Sequence, residues 1–277
     1  MISTIRGGKM FEKIFIVATL SISWVLSLIF IPQGAIGATA IIMMVPAILG
    51  FIITMIKYKS IKQPFKPLFY RLSIKGILFS FIFPLTIISL CGMMALVTGT
   101  GELTGDLSSN IIQILTIVIM SIPFAIITLG EEYGWRGYLL VELEHKYGLK
   151  KANTIVGIVW CLFHLPAFFL INLSAGLGGA IIFTAVQVGC VFFVNFSYTY
   201  LYSLSKNVIL VGVMHSVWNN VNTLMLGDAY RNESIGIVSG NVNLINGERI
   251  YGLIFLGVSA YFISKILFKN VKHEVIK

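Results

Sequence analysis

Eight runs of about 20 mostly apolar residues punctuate this sequence, at 14–31, 37–56, 74–98, 111–130, 152–172, 177–204, 207–226 and 250–268. A helix needs about that length to cross the hydrocarbon core of a bilayer. Lipid offers the backbone no hydrogen-bond partners, so such runs must satisfy their own amides as helices. The sequence therefore predicts an all-α, polytopic membrane bundle of about eight transmembrane helices. Composition agrees, with 57% hydrophobic and 11% charged residues, against about 25% charged in soluble domains. A chain of 277 residues built this way suits one integral membrane domain, 1–277, without a large soluble domain beside it. The first run is longer than the roughly 7–15 residues of a signal-peptide core, so it is expected to be retained as a span.

A net charge of +9 would suggest a nucleic-acid partner in a soluble protein. Here the basic residues alternate with the spans. With the N-terminus placed in the cytoplasm, the cytoplasmic segments hold Arg6, Lys9 and Lys13, then Lys57, Lys59, Lys62, Lys66, Arg71 and Lys75. They also hold Arg136, Lys146, Lys150 and Lys151, then Lys206, and finally Lys265, Lys269, Lys272 and Lys277, which makes 18 of the 20 Lys and Arg residues. The outside loops keep only Arg231 and Arg249. That asymmetry predicts both termini in the cytoplasm of a multi-pass plasma-membrane protein, with the bilayer as a partner and no nucleic acid. The charged segment 131–151 reads as a cytoplasmic or interfacial helix, and the Gly-, Asn- and Ser-rich loop 227–249 as a mobile lid or, by preference, a solvated linker. Cys91, Cys161 and Cys190 are odd in number, widely spaced and set in apolar runs, which speaks for packing rather than disulfides.

Ionisable groups inside spans are costly and mark function by default. Glu131-Glu132-Tyr133-Gly134-Trp135-Arg136 follows the fourth run directly. Glu132 and Arg136 share a helix face and are expected to pair, leaving Glu131 about 100° away and free for other work. His164 lies deep in the fifth run, with Trp160 one turn before it. His215 and Asn219 share one face of the seventh run. Gln187 and Asn195 in the sixth run are expected to bond neighbouring helices. Each of these features alone also fits a structural role: a charged helix end, an interhelical bond, a polar cluster. The other two histidines, His145 and His273, fall in charged segments, so the two buried ones with the Glu pair suggest a site.

The order Glu-Glu-x-x-x-Arg, aromatic-x-x-x-His, His-x-x-x-Asn on successive helices resembles the CPBP family (CAAX protease and bacteriocin-processing) of intramembrane endopeptidases. That family includes the eukaryotic CAAX prenyl endopeptidase and bacterial Abi-type and lysostaphin-resistance proteins, and its eight-span layout is similar. The motif-bearing stretch, about 111–226, is the expected catalytic core. The resemblance implies that Glu131 activates a water with help from His164, that His215 and Asn219 stabilise the oxyanion or hold the site's geometry, and that Glu132 and Arg136 are structural partners. The second motif usually begins with Phe; here that position is Trp160, a change expected to alter only the local pocket.

The implied activity is hydrolysis of a peptide bond in a membrane-anchored protein or peptide, prenylated CAAX-type or leader-peptide. His164, His215 and Glu131 are also the donor types of a catalytic zinc set, so zinc-dependent and metal-free hydrolysis both stay open. Cys161 is three residues before His164, which leaves a thiol mechanism open too. Two other readings compete: a non-catalytic scaffold or bacteriocin-immunity protein of the same fold, and a proton-coupled transporter using Glu and His as a relay. The missing inverted halves count against the transporter. The site is expected at the cytoplasmic edge, in a wet cavity open to the cytoplasm.

Overall fold

The computed structural model describes residues 8–70 and 72–269. Arg6, Arg71, Lys272, His273 and Lys277 lie outside the described residues, as does the side chain of Lys9.

The long helices are α1 (Gly8–Phe30), α2 (Thr39–Tyr58), α3 (Ile74–Val97) and α4 (Leu107–Glu132). A π-helical stretch, Tyr133–Leu139, carries α4 without a break into the short α5 (Leu140–Tyr147). Then follow α6 (Leu149–Asn172), α7 (Gly176–Ser205), α8 (Val208–Leu226), one turn of α9 (Val242–Ile245) and α10 (Ile250–Lys269). Local chemistry sets several starts. The Ser73 hydroxyl accepts the Gly76 N–H, Asp106 accepts that of Ser109, and Asn207 that of Ile209, satisfying amides that the first helical turn leaves open.

Six helical stretches are long and apolar enough to cross a membrane, one of them, Leu149–Ser205, comprising α6 and α7. The chain is an integral multi-pass membrane protein with an all-α bundle. α8 is the long helix outside that set, and its surroundings explain why. It packs mainly on α4 and α3, with further contact to α7, and buries Val211, Met214, His215, Ser216, Val217 and Val221. A helix without a wide lipid face needs no continuous apolar surface. Thr128 on α4 donates to the Gly212 carbonyl of α8 at 2.7 Å, which pins the two helices at the level of the site.

The segment 131–151 is split: its first half is sealed in the bundle, while His145, Lys146 and Tyr147 near its end are exposed. Tyr133, Trp135, Arg136, Tyr138, Leu139 and Leu140 are all buried, and the stretch packs against α2. Its charges misled because Arg136 is neutralised inside the bundle rather than in solvent. The fit is close: a Cβ added at Gly134 would lie 2.3 Å from the Pro46 Cβ and 2.7 Å from its carbonyl carbon. Backbone cannot yield as a side chain can, so Gly134→Ala is expected to cost about 2–3 kcal/mol by overpacking. Thermal unfolding in detergent checks this, and an unchanged midpoint would show that α2 is not so tightly seated.

The loop 227–249 is no solvated linker. Its strand β2 (Val238–Gly240) pairs antiparallel with β1 (Gly101–Leu103). Asn246 Nδ2 donates to the Gly227 carbonyl, and Asn222 Nδ2 donates to Asn246 Oδ1, tying the loop to α8. Val238 and Ile245 are buried, and so is Arg249, whose Nη2 donates to Asn172 Oδ1 and to the Ala229 carbonyl. The Asn residues that suggested solvation instead satisfy a folded loop's backbone.

Candidate active site

Glu131 and Glu132 lie side by side at the end of α4, one residue before the π-helical stretch, and neither meets solvent. They face different partners. Glu132 Oε2 accepts from Arg136 Nη1 at 2.8 Å, the expected pairing one turn on. Its Oε1 lies 2.9 Å from His215 Nδ1 on α8. Arg136 Nη2 donates to Asn195 Oδ1 at 2.9 Å, and Asn195 Nδ2 donates to Asn153 Oδ1 at 2.8 Å. One buried network thus joins α4, the π-helical stretch, α6, α7 and α8. The guanidinium also stacks over the Trp160 ring at 4.3 Å and the Tyr198 ring at 4.9 Å. A buried ion pair survives only with such additional bonds and neighbours, because desolvation of the charges is otherwise uncompensated.

Glu131 stands apart from this network. Its Oε2 accepts from Trp160 Nε1 at 2.8 Å and lies 3.6 Å from His164 Nε2. The Trp160 ring has His164 at 5.8 Å and His215 at 6.0 Å between ring centroids, so both histidines flank one indole. His164 is stacked on Phe168 at 4.9 Å, with an interplanar angle of 5°, which fixes its ring. The six sequence-nominated residues Glu131, Glu132, Arg136, Trp160, His164 and His215 therefore meet in one place. The seventh, Asn219, lies one turn beyond His215, half-buried, on the wall of the same cavity.

That cavity has a volume of about 560 Å³ and is lined by Glu131, Trp160, His164, His215 and Asn219 among others. Its size suits a peptide segment. Two residues that the sequence did not nominate also line it: Tyr198, beside Trp160 and His215, and Glu248, which accepts from Trp218 Nε1 at 3.3 Å. Glu248 stood in a loop read as solvated, and only the fold brings it inward.

The role of Trp160 was underestimated from sequence. Phe at that position would pack as Trp does, but it could not donate to Glu131. The hydrogen bond anchors Oε2. Trp160→Phe is expected to lower kcat about 10-fold with KM little changed, since a bond to a charged group is worth about 1.5–3 kcal/mol. Equal kcat in the two proteins would show the bond to be dispensable.

Two expectations are resolved by these positions. Gln187 and Asn195 do bond neighbouring helices: Gln187 Oε1 accepts from Asn172 Nδ2 at 2.8 Å. Cys161 turns away from the cavity and its thiol contacts the Val188 carbonyl at 3.2 Å, which places it in packing against α7. Zinc needs three ligand atoms converging at about 2.0–2.2 Å. Glu131 Oε2 takes the indole N–H and His215 Nδ1 is bonded to Glu132, so the nitrogens a metal would use are Nε2 of His164 and Nε2 of His215. No group of three His, Cys, Asp or Glu side chains among the described residues converges on one point. No step below runs through a metal.

The cavity's lining runs from Glu131 and His215 toward Thr39, Thr223, Asp228 and Arg231. None of the described residues in 59–73 or 144–152, the segments assigned to the cytoplasm, lines it. The buried π-helical stretch covers that side of Glu131.

Comparison with known proteins gives two findings. Residues 106–221 match the sequence model of a family described as type II CAAX prenyl endopeptidase Rce1-like. The chain is also similar to CAAX prenyl protease 2 of Methanococcus maripaludis, at 35% identity over 65 residues. That alignment covers 24% of this chain and 22% of the relative, so the match spans about a fifth of the relative's length. Both findings agree with the resemblance carried by the three motifs.

Proposed function

We propose that this chain, matched over residues 106–221 to the Rce1-like type II CAAX endopeptidases, is an intramembrane endopeptidase that hydrolyses a peptide bond in a membrane-associated protein. The observation that carries the reading is the meeting of Glu131 and His164, 3.6 Å apart, with His215 and Asn219 on the wall of one cavity inside an apolar bundle. Prenylated CAAX-type proteins and leader peptides are the substrate classes proposed, and the plasma membrane the location.

The chemistry follows from the positions. A water beside Glu131 gives a proton to Oε1 while its oxygen adds to the scissile carbonyl carbon. Trp160 holds the other carboxylate oxygen still, so no reorganisation is needed as the proton moves. The carbonyl oxygen becomes an oxyanion. Asn219 Nδ2 donates to it, and His215, oriented through Nδ1 by Glu132, offers its second nitrogen as imidazolium. When the tetrahedral species collapses, the C–N bond breaks and the leaving amine takes the proton from Glu131. His164 stacks in place beside the carboxylate and shares that proton during the transfer. Water has then supplied a hydroxyl to the new carboxyl group and a hydrogen to the amine. Arg136 and Glu132 touch no reacting atom; they position His215 and Trp160.

The test uses purified full-length protein in detergent with two fluorogenic peptides, one carrying a farnesylated cysteine near its C-terminus and one an unmodified apolar leader-type sequence. Cleavage of at least one peptide, with a single bond broken by mass spectrometry, is the expected result. Intact peptides in both cases, with correctly folded protein, would refute an endopeptidase.

A further inference from the structure

We infer that a second cavity, beside Arg249, is a site for the phosphate group of a lipid headgroup. The cavity has a volume of about 470 Å³, and Glu131, His164 and His215 do not line it. It lies where α1 and α6 end and α7 begins, with residues 229–233 of the loop 227–249 forming part of its wall.

Arg249 sets the chemistry of this cavity. It lines the wall and is only 1% exposed. Its Nη2 donates to Asn172 Oδ1 at 2.9 Å and to the Ala229 carbonyl at 3.0 Å. Its Nε and Nη1 have no hydrogen-bond partner among the described residues. No carboxylate among those residues comes within ion-pair distance of it. Glu248, next in the chain, instead lines the catalytic cavity, where it accepts from Trp218 Nε1 at 3.3 Å. The guanidinium packs over the Phe183 ring at 5.2 Å, which shields one of its faces without neutralising it. A guanidinium keeps its charge at any physiological pH, and a buried charge without a counter-ion is strongly unfavourable. An oxyanion supplies both the counter-charge and several acceptors at once.

The rest of the wall has the same sign. Ser174 and Ala175 line it directly before α7 begins, so the positive end of that 30-residue helix lies at the cavity. Arg231 lines it as well, but Arg231 is already bonded to Asp228. Glu233, the carboxylate of this wall, is exposed to solvent. Arg249 is therefore the charge left uncompensated.

The source of the phosphate follows from the apolar lining. Ile31, Leu170, Ile171 and Phe183 share the wall with Arg249. Leu173 and Leu177, which flank Ser174 and Ala175 in the sequence, are 43% and 66% exposed. A headgroup phosphate with its glycerol and first acyl carbons meets both kinds of surface, whereas a free phosphate meets only the polar one. The cavity is also larger than a lone phosphate fills. Arg249 lies outside residues 106–221, which match the endopeptidase family, so this site belongs to a part of the chain beyond the matched core.

Thermal unfolding of the purified full chain in detergent tests this, and whether the chain hydrolyses peptides does not enter the readout. The probes are dihexanoyl phosphatidylglycerol, the diacylglycerol with the same chains, inorganic phosphate and acetate. Phosphatidylglycerol is expected to raise the midpoint saturably by about 5 °C, and each of the other three by less than about 1 °C. No shift with phosphatidylglycerol, or an equal shift with diacylglycerol, would overturn the inference. A matching shift with either free anion would keep the anion site and overturn a lipid as its source. Two variants place the ligand. Arg249→Gln removes the charge, and Ala175→Trp fills the cavity from an exposed position while leaving Arg249 intact. Both are expected to abolish the phosphatidylglycerol shift. If Arg249→Gln does not fold, Ala175→Trp decides alone, and a full shift in either folded variant would overturn the assignment.

Discussion

Glu131→Gln is expected to reduce kcat roughly 10³-fold, about 4 kcal/mol in barrier, with KM and folded yield close to those of the parent. Gln keeps the shape of the side chain, and its carbonyl oxygen still accepts the Trp160 indole N–H, so the bundle loses little. It cannot take a proton from water. The loss should therefore fall on the chemical step alone, a KM-neutral fall in kcat. A scaffold or immunity protein of the same fold would keep its phenotype in this variant, and a full-rate Glu131→Gln enzyme would remove the general base from the account. Removing the neighbouring carboxylate has a different signature, because Glu132 contributes to stability before it contributes to chemistry.

Arg136→Met is the second large effect, and it is one of folding. The guanidinium is buried, donates to Glu132 and Asn195, and stacks on Trp160 and Tyr198. Its loss leaves the Glu132 carboxylate in the bundle with only His215 beside it. Breaking a buried pair by removing one partner costs about 3–5 kcal/mol. We expect a sharply lower unfolding temperature in detergent and a poor yield of folded protein. Removing both members, as Glu132→Leu with Arg136→Met, should be markedly less damaging than the two single costs added together, since no charge is then stranded. Strict additivity would mean that the two side chains act independently and that the network is not the unit described here.

Much of this architecture was legible in the sequence because the bilayer imposes simple rules. Each apolar run became a long helix close to its expected bounds, for example 74–98 against Ile74–Val97 and 207–226 against Val208–Leu226. The i,i+4 pairing of Glu132 with Arg136 and the shared face of His215 and Asn219 followed from helical period alone. What failed were inferences from polarity about depth. Arg136 reads as a cytoplasmic residue by charge, yet it is sealed inside because Glu132, Asn195 and two rings surround it. Arg249 reads as an outside loop residue and is buried on Asn172. Periodicity cannot show that α4 continues through a π-helical stretch, and that continuation places Glu131 within the bundle rather than at its edge. Nor does an aromatic motif position reveal that its indole N–H holds a carboxylate; only the 2.8 Å contact does.

The central claim is that a water activated at Glu131 is the nucleophile. Turnover in ¹⁸O-enriched water tests it directly, with the reaction quenched in acid during the first turnover and both peptide and protein weighed by mass spectrometry. One ¹⁸O in the new carboxyl group and an unmodified protein mass is the predicted result. A protein carrying a covalently attached acyl fragment of the peptide would contradict it, and would move the chemistry from Glu131 to a side-chain nucleophile.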